Sequence, residues 1–341
     1  MLLAILAHLS SSAQLVKPFT EEEVGGPWTN PVLITFDESG VGYVVERHGL
    51  VWLLDEEGKK SQEPFLDIRE EVAMFGDHGL LGFALDPSFS TNHHVYLLYV
   101  VDRHHLLNYG TPDYDPNVTI IEQATIGRVT RYTADEKTGF TKVDPTSRKV
   151  LVGATIDSGF PVLMASHGVG SLAFGTDGTL LASCGEAGSF LSVDKGSAPE
   201  TYYEQALEDG ILKPKEDIGS FRSQLIDCLG GKVIRIDPET GAGLPSNPFY
   251  NAENPFAAES RVWLIGLRQP YRFFLRPETG SHNVEEGDPG ELYIGDVGGG
   301  RFEELNIAPR GGMNFGWPVY EGFEPAWSFQ DPTILNVDEP N

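Results

Sequence analysis

Two short segments carry residue types that can do chemistry. Asp296-Val297-Gly298-Gly299-Gly300, followed by Glu303 and Glu304, sets three glycines between carboxylates. Glycine leaves the backbone free to turn its carbonyls inward. Carbonyl and carboxylate oxygens together suit a hard cation, and calcium is the expected ion. His167, in Ser166-His167-Gly168-Val169-Gly170, stands just before an apolar run. An imidazole titrates near neutrality and can take a hydroxyl proton as a general base, although a single histidine of this kind is more often structural. His78, beside Asp77, is a second candidate base of lower rank. His93-His94 and His104-His105 look like metal-ligand pairs, but neighbours on a strand point to opposite faces, and both pairs are expected on the surface. The only cysteines are Cys184 and Cys228, without CxxC or CxxCH spacing. That excludes a zinc ribbon and a c-type haem, and two free, partly buried thiols are expected.

These groups need elements to hold them. Val41-Gly42-Tyr43-Val44-Val45 and Val233-Ile234-Arg235-Ile236 alternate with period two, as half-buried strands do. A pattern of apolar strand, polar turn, second strand and a third strand beginning Gly-x-Val recurs along the chain. Its copies lie at 31–58, at 79–101 with 127–139, at 170–188 with 230–241, and from Val262 to Ile307. Repeated units of this kind predict an all-β fold, a β-propeller with about four blades in this chain. Two insertions interrupt the pattern. Residues 102–123 read as a loop, and 200–217 as a short helix over Thr201 to Glu208 ending at Gly210. Both are candidate walls of a pocket, because propeller loops carry function.

The composition agrees. The chain has 341 residues, with 39 glycines and 23 prolines, which favours many short strands joined by tight turns. It carries 24 Lys and Arg against 50 Asp and Glu, a net charge of −26. Such a surface repels nucleic acid and suits cations. Residues 1–13 contain an apolar run, Leu2 to Leu9, and small residues ending at Ala13. They are expected to be a secretory signal lacking its basic start, so the protein is expected to be secreted or periplasmic. Residues 14–341 form the propeller, and no segment is long and apolar enough to span a bilayer.

The order of motifs in the last quarter resembles the glucose/sorbosone dehydrogenase family, the soluble sugar dehydrogenases that use pyrroloquinoline quinone (PQQ). The resemblance rests on Arg268-Gln269-Pro270, the Asp296–Gly300 loop and Asn314-Phe315-Gly316-Trp317-Pro318. It also rests on His167 preceding Phe174-Gly175-Thr176-Asp177-Gly178. Family members close six blades, so the resemblance implies a member incomplete at its C-terminus. The cations that pair the quinone's carboxylates would then lie past Asn341.

The resemblance also implies roles. His167 is the general base, and Arg268 the cation beside the quinone and the substrate oxygen. Asp77, Arg268 and Gln269 contact the cofactor or substrate. The carbonyls of Gly298 and Gly299 hold the cofactor's calcium, and Glu304 belongs to a second, structural calcium site. Three positions depart from the family pattern: Gln269 replaces Asn, Ser166 replaces an Asp before the histidine, and Glu186 replaces the Asp of a Gly-Asp turn. The implied activity is oxidation of a sugar or related alcohol by hydride transfer to PQQ, with electrons passed to an external acceptor. The alternative is a secreted propeller of the Hedgehog-interacting-protein-like type, which binds carbohydrate or protein without turnover.

Overall fold

The alternating runs form antiparallel sheets arranged in sequence order. The computed structural model describes residues 22–331 and 333–334, so the expected signal lies outside the described residues. The first blade is β1 (Pro31–Phe36), β2 (Gly42–Glu46), β3 (Leu50–Leu54) and β4 (Leu66–Asp67), paired in that order. The second is β5 (Leu80–Leu85), β6 (His94–Val100), β7 (Thr125–Ala134) and β8 (Val143–Val152), with β9 (Phe160–Val162) also on β7. The third is β10 (Val169–Phe174), β11 (Leu180–Cys184), β12 (Lys232–Ile236) and β13 (Val262–Leu264). Among the described residues the fourth has three strands, β14 (Pro270–Leu275), β15 (Leu292–Asp296) and β16 (Glu304–Ala308).

The expected propeller arrangement is present, with one correction to the repeat. Val262 to Leu264 closes the third blade as its outermost strand, because β13 pairs with β12. The fourth blade therefore begins at Pro270. The first strands touch in succession, β1 with β5, β5 with β10 and β10 with β14. The blades approach closely there. A Cβ on Gly170 would lie 2.5 Å from Pro270 O and from Ser183 Oγ, so β10 can meet β14 only with glycine at that point. Between blades the core is aliphatic and aromatic: Tyr43, Phe83, Leu97 and Ile126 fill the first junction, and Val129, Leu172 and Ile234 the second.

The Phe174–Gly178 turn is structural. Asp177 accepts Thr179 N–H at 3.0 Å and pairs with the Arg235 guanidinium at 2.6 Å, both side chains fully buried. Residues 102–123 are more ordered than a loop. Asp102 caps a helix over Arg103–Asn108, accepting from the amides of His104 and His105. His104 and His105 are thereby buried, not on the surface: His104 Nε2 accepts Asp115 N–H, and His105 lies 3.7 Å from Glu71. The second insertion forms its helix at Tyr203–Asp209, ended by Gly210 in the left-handed region. Arg103 and Asp209 join the two insertions at 2.6 Å. Cys184 and Cys228 are free and fully buried. No helix among the described residues is long and apolar enough to cross a membrane.

Candidate active site

Antiparallel pairing brings one set of strand ends together. The start of β10, the end of β11, the start of β14 and the end of β15 all lie at one end of their blades. Backbone bonds stitch these turns to each other. Gly185 N–H reaches Gly168 O, Ala187 N–H reaches His167 O, Glu186 N–H reaches Arg268 O, and Val297 N–H reaches Gln269 O. The conformation is tight. His167 and Ala187 both hold φ of 58°, a region that costs a residue with a side chain on the order of 1–3 kcal/mol. A Cβ on Gly185 would sit 1.8 Å from Gln269 Oε1.

The result is a buried histidine–carboxylate pair. His167 Nδ1 lies 3.0 Å from Glu186 Oε2, with 2% of His167 and none of Glu186 exposed. The approach does not meet hydrogen-bond geometry, and neither His167 Nδ1 nor Glu186 Oε2 has another hydrogen-bond partner. Burial alone would raise the Glu186 pKa. The charges of His167, Arg268 and Arg222 outweigh it and hold the carboxyl below its ordinary range. Arg222, itself buried, clamps the turn by donating to the carbonyls of Glu186 at 2.9 Å and Ala187 at 2.8 Å. Among the described residues nothing bonds His167 Nε2. The support that Ser166 cannot give thus comes from Glu186, a residue visible in the sequence only as a changed turn. Ser166 instead donates its hydroxyl to Asp77, which is exposed.

Arg268 and Gln269 are presented by the next blade. Arg268 N–H and Gln269 N–H donate to the two oxygens of Asp296, at 3.0 and 2.7 Å. Asp296 is therefore not a free ligand beside the glycines, as the sequence suggested. Burial, with Glu304 and Glu186 nearby, pushes its pKa up to about 7 against the pull of those two amides. Arg268 donates to Val297 O at 3.1 Å and packs over Trp317 at 5.3 Å. Its Nε and the Gln269 Oε1 are buried without a hydrogen-bond partner. His78 is not a base for this site. It is buried, bonds Met164 O through Nε2 at 2.7 Å and packs on Phe75, and burial lowers its pKa to about 4.

The glycine loop is organised by a carboxylate that the sequence did not single out. Glu321 Oε1 accepts from the amides of Gly299, Arg301 and Phe302 at 2.7, 3.0 and 3.3 Å. A Cβ on Gly298 would lie 1.6 Å from Phe302 O. With the amides turned toward Glu321, no described residue donates to the carbonyls of Gly298 or Gly299. Glu304 accepts from Gly322 N–H and the Asn306 amide. Among the described residues no group of three or more His, Cys, Asp or Glu could hold a metal ion. The oxygens this loop could offer a cation are therefore main-chain carbonyls, those of Gly298 and Gly299, to which no described residue donates. The orphaned atoms of Arg268 and Gln269 fit a polar group placed against them.

Arg268 and Gly299 line one cleft of about 400 Å³, whose walls are residues 189–193 and 326–329. Neither insertion lines this cleft, but the second lines another through Ile211, Lys213 and Glu216. Phe190, on that cleft beside Arg268, is 6.4 Å from the His167 ring.

The profile of the Glucose / Sorbosone dehydrogenase family matches residues 28–328. This chain belongs to that family. Among its relatives, the HIPL1 protein of Arabidopsis thaliana is 23% identical over 283 residues, covering 76% of this chain and 35% of that protein. The PQQ-bound aldose sugar dehydrogenase of Streptomyces coelicolor superposes with a TM-score of 0.58 at 22% identity, covering 89% of this chain and 66% of that one. A glucose dehydrogenase-type oxidoreductase from Thermus thermophilus gives 0.59 at 25% identity, covering 91% and 71%. The chain spans about a third of the HIPL1 protein and about two-thirds of the aldose dehydrogenase. The fold of the glucose/sorbosone dehydrogenases is therefore that of this chain.

Proposed function

We propose that this chain carries the oxidising site of a PQQ-dependent dehydrogenase acting on a sugar or related alcohol. The observation that carries the reading is the His167–Glu186 pair at the blade ends, next to the turn that presents Arg268. Glu186, held anionic, faces Nδ1, which leaves Nε2 to take the hydroxyl proton. The same carboxylate then stabilises the imidazolium that forms. Arg268 supplies a fixed positive charge where negative charge develops on oxygen, at no cost in reorganisation. Asp77, Arg268 and Gln269 would contact the cofactor or substrate. Bound PQQ, with calcium on the carbonyls of Gly298 and Gly299 and Glu304 close by, would supply the hydride acceptor. An external acceptor would take the electrons onward, in a secreted or periplasmic setting.

The test is turnover with PQQ, calcium and an artificial dye acceptor. His167→Ala should lower the rate by about 10² to 10⁴, the usual contribution of a general base. Near-native turnover in that variant would remove His167 from the mechanism. The match to the HIPL1 protein favours a second reading, a propeller of the Hedgehog-interacting-protein-like type that binds carbohydrate or protein without turnover. Saturable PQQ binding with no dye reduction across a panel of sugars would favour that reading.

A further inference from the structure

A second cleft, of about 420 Å³, lies at the outer edge of the second and third blades and shares no residue with the cleft beside Arg268. Its lining comes from the β8–β9 loop, residues 211–229 and the segment leading into β13. Phe256 projects there with 55% of its surface exposed, which nothing in the packing of the blades requires. Beside it stands Arg261, 5% exposed, its guanidinium over the Phe256 ring at 5.7 Å. Arg261 donates to Gly241 O at 2.8 Å, but among the described residues no carboxylate lies within ion-pair distance and nothing bonds its Nη1. Buried Arg103, Arg128 and Arg235 each pair with a carboxylate, and Arg222 places Nε, Nη1 and Nη2 all on carbonyls, whereas Arg261 leaves Nη1 without either.

The charges of the lining decide what kind of ligand fits. Glu216 is paired with Lys213 at 3.5 Å, and Asp227 with Lys213 and Lys215 at 3.4 and 2.8 Å, so the carboxylates of the lining that would repel an anion are those of Asp157 and Glu259. Arg261 lines it too and would oppose a cation. A neutral polyol meets both, because each hydroxyl accepts from a guanidinium and donates to a carboxylate. The exposed ring adds a condition: it rewards a ligand with a flat C–H face, which a pyranose has and an open-chain polyol lacks. We propose that this cleft is a binding site for neutral saccharides, separate from the His167 site. The volume is in the ordinary range for small ligands.

A glycan array probed with the labelled protein tests this, with calorimetry on the best neutral oligosaccharide. Free glycerol and glucuronate serve as the open-chain and anionic controls. Neutral glycans should bind, and Phe256→Ala and Glu259→Gln should each weaken them at least tenfold. Phe256 is exposed, so its variant should melt with the parent, and the melt is recorded beside the binding. An array without a bound glycan, binding confined to acidic glycans, glycerol binding as well as the sugars, or full binding by Phe256→Ala would each overturn the proposal.

Discussion

At the scale of single residues, the informative feature is that one carboxylate decides what a histidine can do. His167 and His78 are separated by little more than the Gly168 backbone, since a Cβ on Gly168 would lie 2.6 Å from the His78 ring. His167 meets a buried carboxylate, Glu186, at 3.0 Å, whereas the Nε2 of His78 is taken by Met164 O. Glu186→Gln keeps the shape and removes the charge, so the imidazolium of the proposed reaction would lose its partner. In a dye assay, kcat should fall by about 10², the low end for general-base catalysis, with KM little changed. An unchanged kcat would make Glu186 a packing residue. His78 predicts a pH effect on stability instead. Its pKa is lowered by burial from 6.5 to about 4, so above pH 6.5 it is neutral in both the folded and unfolded chain. As pH falls from 6.5 toward 4, only the unfolded chain takes the proton, and stability drops by about 1.4 kcal/mol per unit. The loss should reach about 3 kcal/mol near pH 4. His78→Gln should flatten that limb of a denaturation series, and an equally steep limb in the variant would assign it elsewhere.

At the scale of elements, the glycine loop depends on a residue downstream of it. Glu321 collects three amides, and the one from Gly299 fixes the peptide plane that carries the Gly298 carbonyl. Glu321→Ala would hand those amides to water, because Gly299, Arg301 and Phe302 are exposed, so the cost should be that of ordinary hydrogen bonds, about 0.5–1.5 kcal/mol each. The same change should abolish calcium stabilisation. For the parent chain, calcium at a hundredfold over its Kd should add about 2.7 kcal/mol. Thermal melts in EDTA and in millimolar calcium read both effects. Identical melts of the parent in the two conditions would rule out the carbonyl site. A calcium shift that survives in Glu321→Ala would place the ion elsewhere.

At the scale of the whole molecule, the first and fourth blades differ from the two between them. Ile34 and Phe36 on β1, and Phe274, Leu305 and Ile307 on the fourth blade, are large, apolar and exposed, with Leu305 at 70%. On the fourth blade the register aligns Phe274, Tyr293 and Ile307 across three strands of one face. Apolar faces of this kind favour association, against the solubility conferred by a net charge of −26. The chain should self-associate as concentration rises, and more so at high salt, where charge repulsion is screened. Leu305→Lys should shift sedimentation-velocity profiles toward monomer. A parent chain that stays monomeric at high concentration and high salt would show that these faces are not adhesive.

The strands, the blade order and the family were legible in the sequence because each depends on local pattern: period-two alternation, turn residues, and motifs such as Arg268-Gln269-Pro270. His167 and Arg268 were legible for the same reason, as residue types at positions just before a strand. What joins them was not. Glu186 stands nineteen residues beyond His167 and reaches it because β10 and β11 form a hairpin whose open end brings both turns together. Asp296 read as a ligand because it adjoins the glycines, yet β14–β15 pairing turns its carboxylate back onto the Arg268 turn. Glu321 had no signal at all, since its three partners are backbone amides, which no side-chain pattern records. Sequence determined which groups are present and on which strands they ride. Antiparallel pairing and blade packing decided which of them meet, because contacts across a sheet and between sheets are set by register and burial, not by distance along the chain.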